Sequence, residues 1–303
     1  ILVFSQSGRD IAEMIENRPA PDDLINQTVM ILTNSKGKTR THKMISKSKN
    51  GGEKQIIWFK EPKDDRGIAF LKIEHENKDN EMKYIRTENK GISAARNIGI
   101  KSSRGEFIAL LDSDDVWKRN KLKTQLSSLK DTGFKNMVSH TDEIWIKNGV
   151  RLNPQKKHLK RGGNIFENCL KLCCVSPSSS LINKNLFSEL GYFDEDLPAC
   201  EDYDFWLRYS IRHEFHYVEK PLLIKNGGHS DQLSKKYWGM DRFRVLSMEK
   251  LLKNDSLTEY QRRAIHNELI FKLDILINGA RKRDNTSFFV EMSKKKYLYQ
   301  CLQ

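Results

Sequence analysis

Short apolar runs alternate with longer, helix-compatible polar stretches through the first third of the chain: "ILVF" then "DIAEMIEN", "TVMIL" then "TRTHKMISKS", "QIIWF" then "DRGIAFLKIEHE", "MKYI" then "GISAARNIGIKS", and last "FIALLDSDD". Strand and helix periods at this spacing predict βαβ units, and with them a largely parallel sheet covered by helices on both faces. In such α/β sheets ligands sit beyond the carboxyl ends of the strands. "FIALL" then reads as a buried strand, and the acidic "DSDD" after it faces a crevice. Further on, "NKLKTQLSSLKDTG" reads as a helix, "MVSHTDEIWI" as a strand, and the turn-rich "KNGVRLNPQKKHLKRGGN" as a surface excursion near the site. From about Asp241 the apolar spacing of "FRVLSMEKLL" and "AIHNELIFKLDILINGA" predicts helices to the end. The expected division is therefore a domain over 1–240, with room for an extra N-terminal βα unit, and a helical extension over 241–303 that caps the domain or receives a partner.

Composition narrows the class. With 303 residues, 38% of them apolar, and a mean hydropathy of −0.66, the chain buries a sizeable core and is too hydrophobic to be disordered. Its net charge of +13 suits nucleic acid, anionic lipid or phosphorylated substrates without choosing among them. No basic motif with interleaved aromatics supports nucleic acid, so that partner is not expected. Cys169, Cys173, Cys174, Cys200 and Cys301 lack paired metal or disulfide spacing and fit a reducing cytoplasm, and Cys173 and Cys174 read as small buried hydrophobes. No run approaches the ~20 apolar residues of a membrane span, so any membrane contact is peripheral. The opening "ILVFSQSGRD" has neither a basic leader nor an initiator Met and reads as the start of a fragment.

Asp112, Asp114 and Asp115 carry the first chemical signal. Three carboxylates within four residues repel one another, and a hard divalent cation with oxygen ligands relieves that repulsion while leaving positions for phosphate oxygens. The plainer reading is an Asx-turn with Asp114 or Asp115 capping the helix that follows. "EDYDFWLR" has the same double aspect. Its acids complement the positive end of a helix that buries Phe205, Trp206 and Leu207, and a carboxylate is also a group able to take a proton from a hydroxyl. His140, with Asp142, stands at the end of a strand and reads as a pocket-lining residue, whereas "CCVSPSSSLI" reads as tight turns of small residues.

Taken together, "NKGISAARNIGIKSSRGEFIALLDSDDVW", "SPSSSLINKNLFSELGYFDEDLPACEDYDFWLRY" and "GGHSDQLSKKYWGMDRFR" resemble the family 2 glycosyltransferases of the GT-A type, over about residues 83–250. The resemblance implies a GT-A fold, Rossmann-like, with a mostly parallel sheet flanked by helices. It also implies an inverting, metal-dependent transfer of sugar from a nucleotide sugar, a UDP-sugar first, to a carbohydrate or lipid-linked acceptor of the cell envelope. By the same resemblance Asp112 lies near the donor ribose, Asp114 and Asp112 hold Mn²⁺ or Mg²⁺, and His229 reaches the metal from a late loop. Arg96, Asn97, Asn89 and Gly91 line the donor nucleotide, and Asp202, with Glu201 beside it, is the catalytic base. The family's P-x-Y-N and D-D-G-S turns are missing, and Asp64 and Asp65 are the nearest acids to the lost base-binding position. That loss supports a second reading, a catalytically degenerate GT-A scaffold that binds polysaccharide, membrane or protein. Under the first reading the positive charge serves diphosphate donors and an anionic membrane surface at the inner face of the membrane, met by "KKHLKRGG" and "SKKKYLYQCLQ".

Overall fold

The computed structural model describes residues 23–33, 37, 39–49, 54–61, 69–73, 85, 87–228 and 236–301, and the chain divides into two compact units, 1–85 and 86–303. Asp64, Asp65 and His229 lie outside the described residues. In the first unit β1 (Asp23–Thr33), β2 (Thr39–Lys49), β3 (Lys54–Glu61) and β4 (Ala69–Ile73) form one antiparallel sheet in chain order. Thr33 pairs with Thr39 across the first turn, and Lys49 pairs with Lys54 across the second. The helices expected after "TVMIL" and "QIIWF" are thus strands. "TRTHKMISKS" sets β-branched Thr39, Thr41 and Ile45 two and four residues apart, and that spacing fits a pleated strand better than a helix face.

The second unit is a mixed sheet carrying the remaining elements. Its strands are β5 (Phe107–Ile108), β6 (Val116–Trp117), β7 (Val138–Lys147), β8 (Val150–Leu152), β9 (Leu181–Asn183) and β10 (His216–Gly227), in the order β5-β9-β7-β10-β6, with β8 on β7. The β7–β10 pair is parallel and the others are antiparallel. "FIALL" pairs only through Phe107 and Ile108, and Leu111 is exposed, so the chain leaves the sheet three residues earlier than its apolar run suggests. This early departure brings the acidic turn to the sheet's edge.

Around the sheet stand α1 (Ile92–Ser102), α2 (Lys121–Asp131), α3 (Phe166–Lys171), α4 (Leu186–Leu190) and α5 (Glu201–Ser210). Phe187, Phe193, Phe205, Trp206, Tyr209 and Phe215 pack ring against ring beneath α5 and fix its axis. The helical region begins at Asp241 as expected, with α6 (Asp241–Leu252), α7 (Glu259–Arg281) and α8 (Thr286–Cys301). Thr258 caps α7 through a reciprocal box with Gln261. Val245, Met248, Ile265, Leu269 and Leu273 join the same apolar cluster as Trp206 and Phe215, so these helices share the core of the second unit. Among the described residues no helix is long and apolar enough to cross a membrane.

Candidate active site

Arg96 is the joint of the site. It stands one turn into α1, where the side chain is 9% exposed, and its guanidinium donates to Asp112 Oδ1 at 2.6 Å and to Glu201 Oε1 at 2.5 Å. Burial works against its charge, but Asp112 and Glu201 more than offset that and raise its pKa. Arg96 thereby ties the acidic turn after β5 to the first turn of α5, whose Glu201 lies 105 positions beyond Arg96 itself. The guanidinium also lies over the Phe193 ring, 5.4 Å from its centre.

Asn97 uses both ends of its amide on the neighbouring loop. Its Nδ2 donates to Phe193 O and Glu195 Oε1, each at 2.8 Å, and its Oδ1 accepts from Phe193 N at 3.0 Å. Buried this way, Asn97 holds the wall against which Arg96 rests. Asn89 and Gly91 form the exposed approach to α1, with Gly91 N donating to Asn89 Oδ1 at 3.2 Å. Gly91 takes φ of 91°, a left-handed conformation that any side chain would strain, and so lets the chain turn sharply into the helix.

The acidic turn is closed by Asp115 N donating to Asp112 O at 3.0 Å, and it is braced from below by Ser178. Ser178 Oγ accepts from Asp112 N at 2.9 Å and also bonds the Asp115 carboxylate, while Ser178 O accepts from Trp117 Nε1 at 2.7 Å. Lys121 and Gln125, both fully buried on α2, reach the carbonyls of Ser180 and Ser179 and hold that segment in turn. The serines first read as plain turn residues are therefore the floor of the turn. Asp115 is buried, and burial pushes its carboxyl up to about 7, whereas Asp112 and Asp114 are half-buried. Neither Asp114 nor Asp115 caps a helix: α2 begins after Asn120. Asn226 at the end of β10 donates to Asp114 O and to Asp115 Oδ1, tying the turn to the sheet.

Asp202 stands in the first turn of α5. Its Oδ1 accepts from Tyr203 N at 2.7 Å, and its Oδ2 accepts from the Cys173 thiol at 2.9 Å. Cys173 was read from the sequence as a small hydrophobe, yet it touches the candidate base. Burial holds its thiol well above the usual range and nearby Asp202 raises it further, so it stays a donor. Cys200, just before α5, sits at φ 65°, a left-handed conformation that aims Glu201 and Asp202 into the site. Glu201 is buried, and burial and Asp202 raise its pKa against the pull of Arg96.

Lys225 is the second residue that sequence reasoning missed. It lies on β10 and donates to Ser176 Oγ at 2.9 Å. Burial works against its charge, but Glu143, Asp115, Cys173 and Asp202 around it raise its pKa. The ammonium is therefore a fixed positive charge between the acidic turn and the candidate base. The signal in the sequence was a cation ending the apolar run "PLLIK", two residues after buried Leu223 and on the same face.

His140 is buried in β7 and bonded through Nε2 to Arg161 O at 2.8 Å, so it braces the fold and lines no open pocket. Burial, then Lys160, push its pKa down to about 3. A base with a depressed folded pKa binds fewer protons in the native chain than in the unfolded one, so stability falls as pH drops from about 6.5 toward 3. Asp115, an acid with a raised pKa, opposes this trend over part of the same range. Urea unfolding from pH 7 to 5 is expected to show native stability falling relative to His140→Gln, by up to about 1.4 kcal/mol per pH unit. Parallel curves would show that His140 is not the titrating group.

The donor set suits a particular kind of cation. Asp112 and Asp114 offer hard oxygen ligands, one oxygen of Asp112 being engaged by Arg96, and among the described residues no three His, Cys, Asp or Glu side chains gather into a closed metal site. Two half-buried carboxylates fit a Mg²⁺- or Mn²⁺-like ion shared with a phosphate ligand better than a resident structural ion.

Comparison with known proteins follows the same lines. The family model described as Glycosyl transferase family 2 matches residues 31–191. An uncharacterized glycosyltransferase of Rickettsia felis is 26% identical over 236 residues, covering 75% of this chain and 37% of the relative. The UDP-Glc:alpha-D-GlcNAc-diphosphoundecaprenol beta-1,3-glucosyltransferase WfgD of Escherichia coli is 31% identical over 132 residues, 43% of this chain and 48% of the relative. The chain thus spans less than half the length of either. Among solved structures, S. aureus TarS 1-349 in complex with UDP-GlcNAc superimposes with a TM-score of 0.57 at 17% identity, over 71% of this chain and 63% of TarS, a likeness of GT-A fold.

Proposed function

The chain belongs to glycosyl transferase family 2, and on that premise we propose that it is an inverting transferase that moves a sugar from a nucleotide-sugar donor to an acceptor hydroxyl with the help of a divalent cation. The observation that carries this reading is the Arg96 bridge, which brings the acidic turn and the Glu201–Asp202 pair to opposite sides of one guanidinium. Asp114 and Asp112 would hold the cation, whose chemistry is to neutralise the diphosphate as it leaves. Asp112 and Arg96 face the donor nucleotide. Asp202 takes the proton of the acceptor hydroxyl while that oxygen forms its bond to the anomeric carbon and the bond from that carbon to the diphosphate breaks. Lys225 stabilises the charge that gathers between the two groups.

The name of the WfgD relative supports a UDP-sugar as donor and a sugar linked through diphosphate to a lipid as acceptor. With such an acceptor, the proposed reaction lies at the inner face of a membrane. The tail offers Lys294, Tyr297 and Leu298 outward, while Lys295 and Lys296 pair with Glu249 and Asp274. In "KKHLKRGG", Lys160 is buried against Glu143, leaving Lys156, Lys157 and Arg161 outward.

Calorimetry with UDP and GDP, each with and without Mn²⁺, tests the donor site. UDP is expected to bind with Mn²⁺, and Asp114→Asn is expected to weaken that binding by at least about tenfold, the loss of one charged ligand. Absence of binding by either nucleotide would favour the degenerate scaffold.

A further inference from the structure

A cleft of about 300 Å³ opens between β7, β10 and the segment around Lys160, at the lower end of ligand-sized pockets, ~300–1,000 Å³. Trp145, Tyr217 and His158 supply its aromatic walls, and Asp142, Glu219 and Arg161 supply its polar groups. The aromatic wall is held in place from behind. Trp145 Nε1 donates to Glu143 Oε2 at 2.8 Å, and Glu143, buried, pairs with Lys160 at 2.9 Å. The Trp145 and His158 rings lie 5.0 Å apart, and Tyr217 leans on His140 at 5.2 Å. The segment that carries Lys160 and Arg161 is pressed on β10 at Gly162, where an added Cβ would meet Tyr217 Cβ at 2.8 Å. A bridge between Gly163 and Phe215 fastens it there.

The same residues connect the cleft to the candidate base. Lys160, besides pairing with Glu143, donates to Cys174 O at 2.9 Å, and the adjacent Cys173 holds Asp202. Glu143 is also among the acids around Lys225, which Asp202 shares.

Resting on the transferase reading, we propose that this cleft is the acceptor subsite, and that it takes a neutral pyranoside whose apolar face lies on Trp145 and Tyr217. Asp142, Glu219 and Arg161 bond its hydroxyls. The carboxylates of Asp142 and Glu219 disfavour a phosphate here, which separates the cleft from the donor's diphosphate. A sugar ring has the two properties the lining matches, an apolar C–H face for an aromatic plane and a rim of hydroxyls for charged planar groups. The contacts through Lys160, Cys174 and Cys173 are what link this cleft to Asp202.

Saturation-transfer NMR on the intact chain tests the assignment, with methyl α-glucopyranoside and methyl α-N-acetylglucosaminide as probes and UDP with Mn²⁺ as the donor control. The glycosides are expected to receive saturation in the native chain and to lose it at least fivefold in Trp145→Ala and in Asp142→Asn/Glu219→Gln, while Trp145→Phe keeps most of it. UDP signals are expected to be unchanged in all three variants. If Trp145→Ala does not fold, the double carboxamide variant, which leaves the aromatic wall in place, decides the matter. Silence of both glycosides in the native chain, or signals indifferent to the folded variants, overturns the subsite. So does a UDP signal lost with Trp145, which would give the cleft to the donor's base. Glycoside binding with no UDP binding overturns the donor reading and leaves the cleft as a sugar site.

Discussion

An Asp202→Asn chain is expected to bind UDP with Mn²⁺ within roughly threefold of the native affinity and to transfer sugar about 10²–10⁴-fold more slowly, the usual contribution of a general base. The carboxamide fills the same volume and still accepts from Tyr203 N through its oxygen, so α5 keeps its first turn. What it loses is the ability to take the acceptor's proton. Removing the thiol at Cys173 should cost far less, because the thiol only orients Oδ2. Calorimetry and a coupled assay for released UDP separate the two effects. Native turnover in Asp202→Asn would move the base elsewhere.

Arg96→Ala is expected to cost about 3–5 kcal/mol of stability, the range for leaving a buried charge without its partner. Most of this comes from Glu201, whose side chain is 6% exposed, since Asp112 at 30% can turn to water. Burial and Asp202 raise the Glu201 pKa against the pull of Arg96, so removing Arg96 raises it further. Pairing the change with Glu201→Gln removes the stranded charge and should recover roughly half the loss, because the carboxamide needs only hydrogen bonds. Urea unfolding of the native, single and double variants measures both numbers. A single-variant loss under about 1 kcal/mol would mean that the bridge is solvent-screened, as exposed pairs are.

Which of these residues could be read in advance depended on how local their signals are. "NKGISAARN", "DSDD" and "EDYDFW" each fit in one turn or helix start, where spacing alone places Arg96, Asp112 and Asp202 on their elements. Their joining into one site was legible only through the family resemblance, since the Arg96–Glu201 contact leaves no periodic trace. Lys225 was lost among 53 basic residues, most of which face water, and Cys173 looked inert because a thiol shows its role only by its neighbour. Ser178 is a similar case: its backbone carbonyl and its hydroxyl matter, and neither is specific to serine until the fold sets Asp112 above it. In the first unit, period reading failed for a different reason. The β-branched Thr39, Thr41 and Ile45 at even spacing already favour a strand, but the longer polar stretch reads as a helix between two strands, and pairing with neighbouring strands decided the outcome.

Few contacts of the site are made between close neighbours in the chain. Arg96 meets Glu201 across 105 positions, and Asn226 meets Asp115 and Asp114 across 111 and 112. Each closes a long loop, and such closures come late because their entropy is lost before their energy is gained. A ribosome adding ~5–20 residues per second would expose Arg96 for roughly 5–20 seconds before Glu201 emerges, and Asp115 about as long before Asn226. During that interval Arg96 can meet Asp112, 16 positions away, but not Glu201. On the transferase reading, the site is complete only once α5 and β10 have been synthesised and seated.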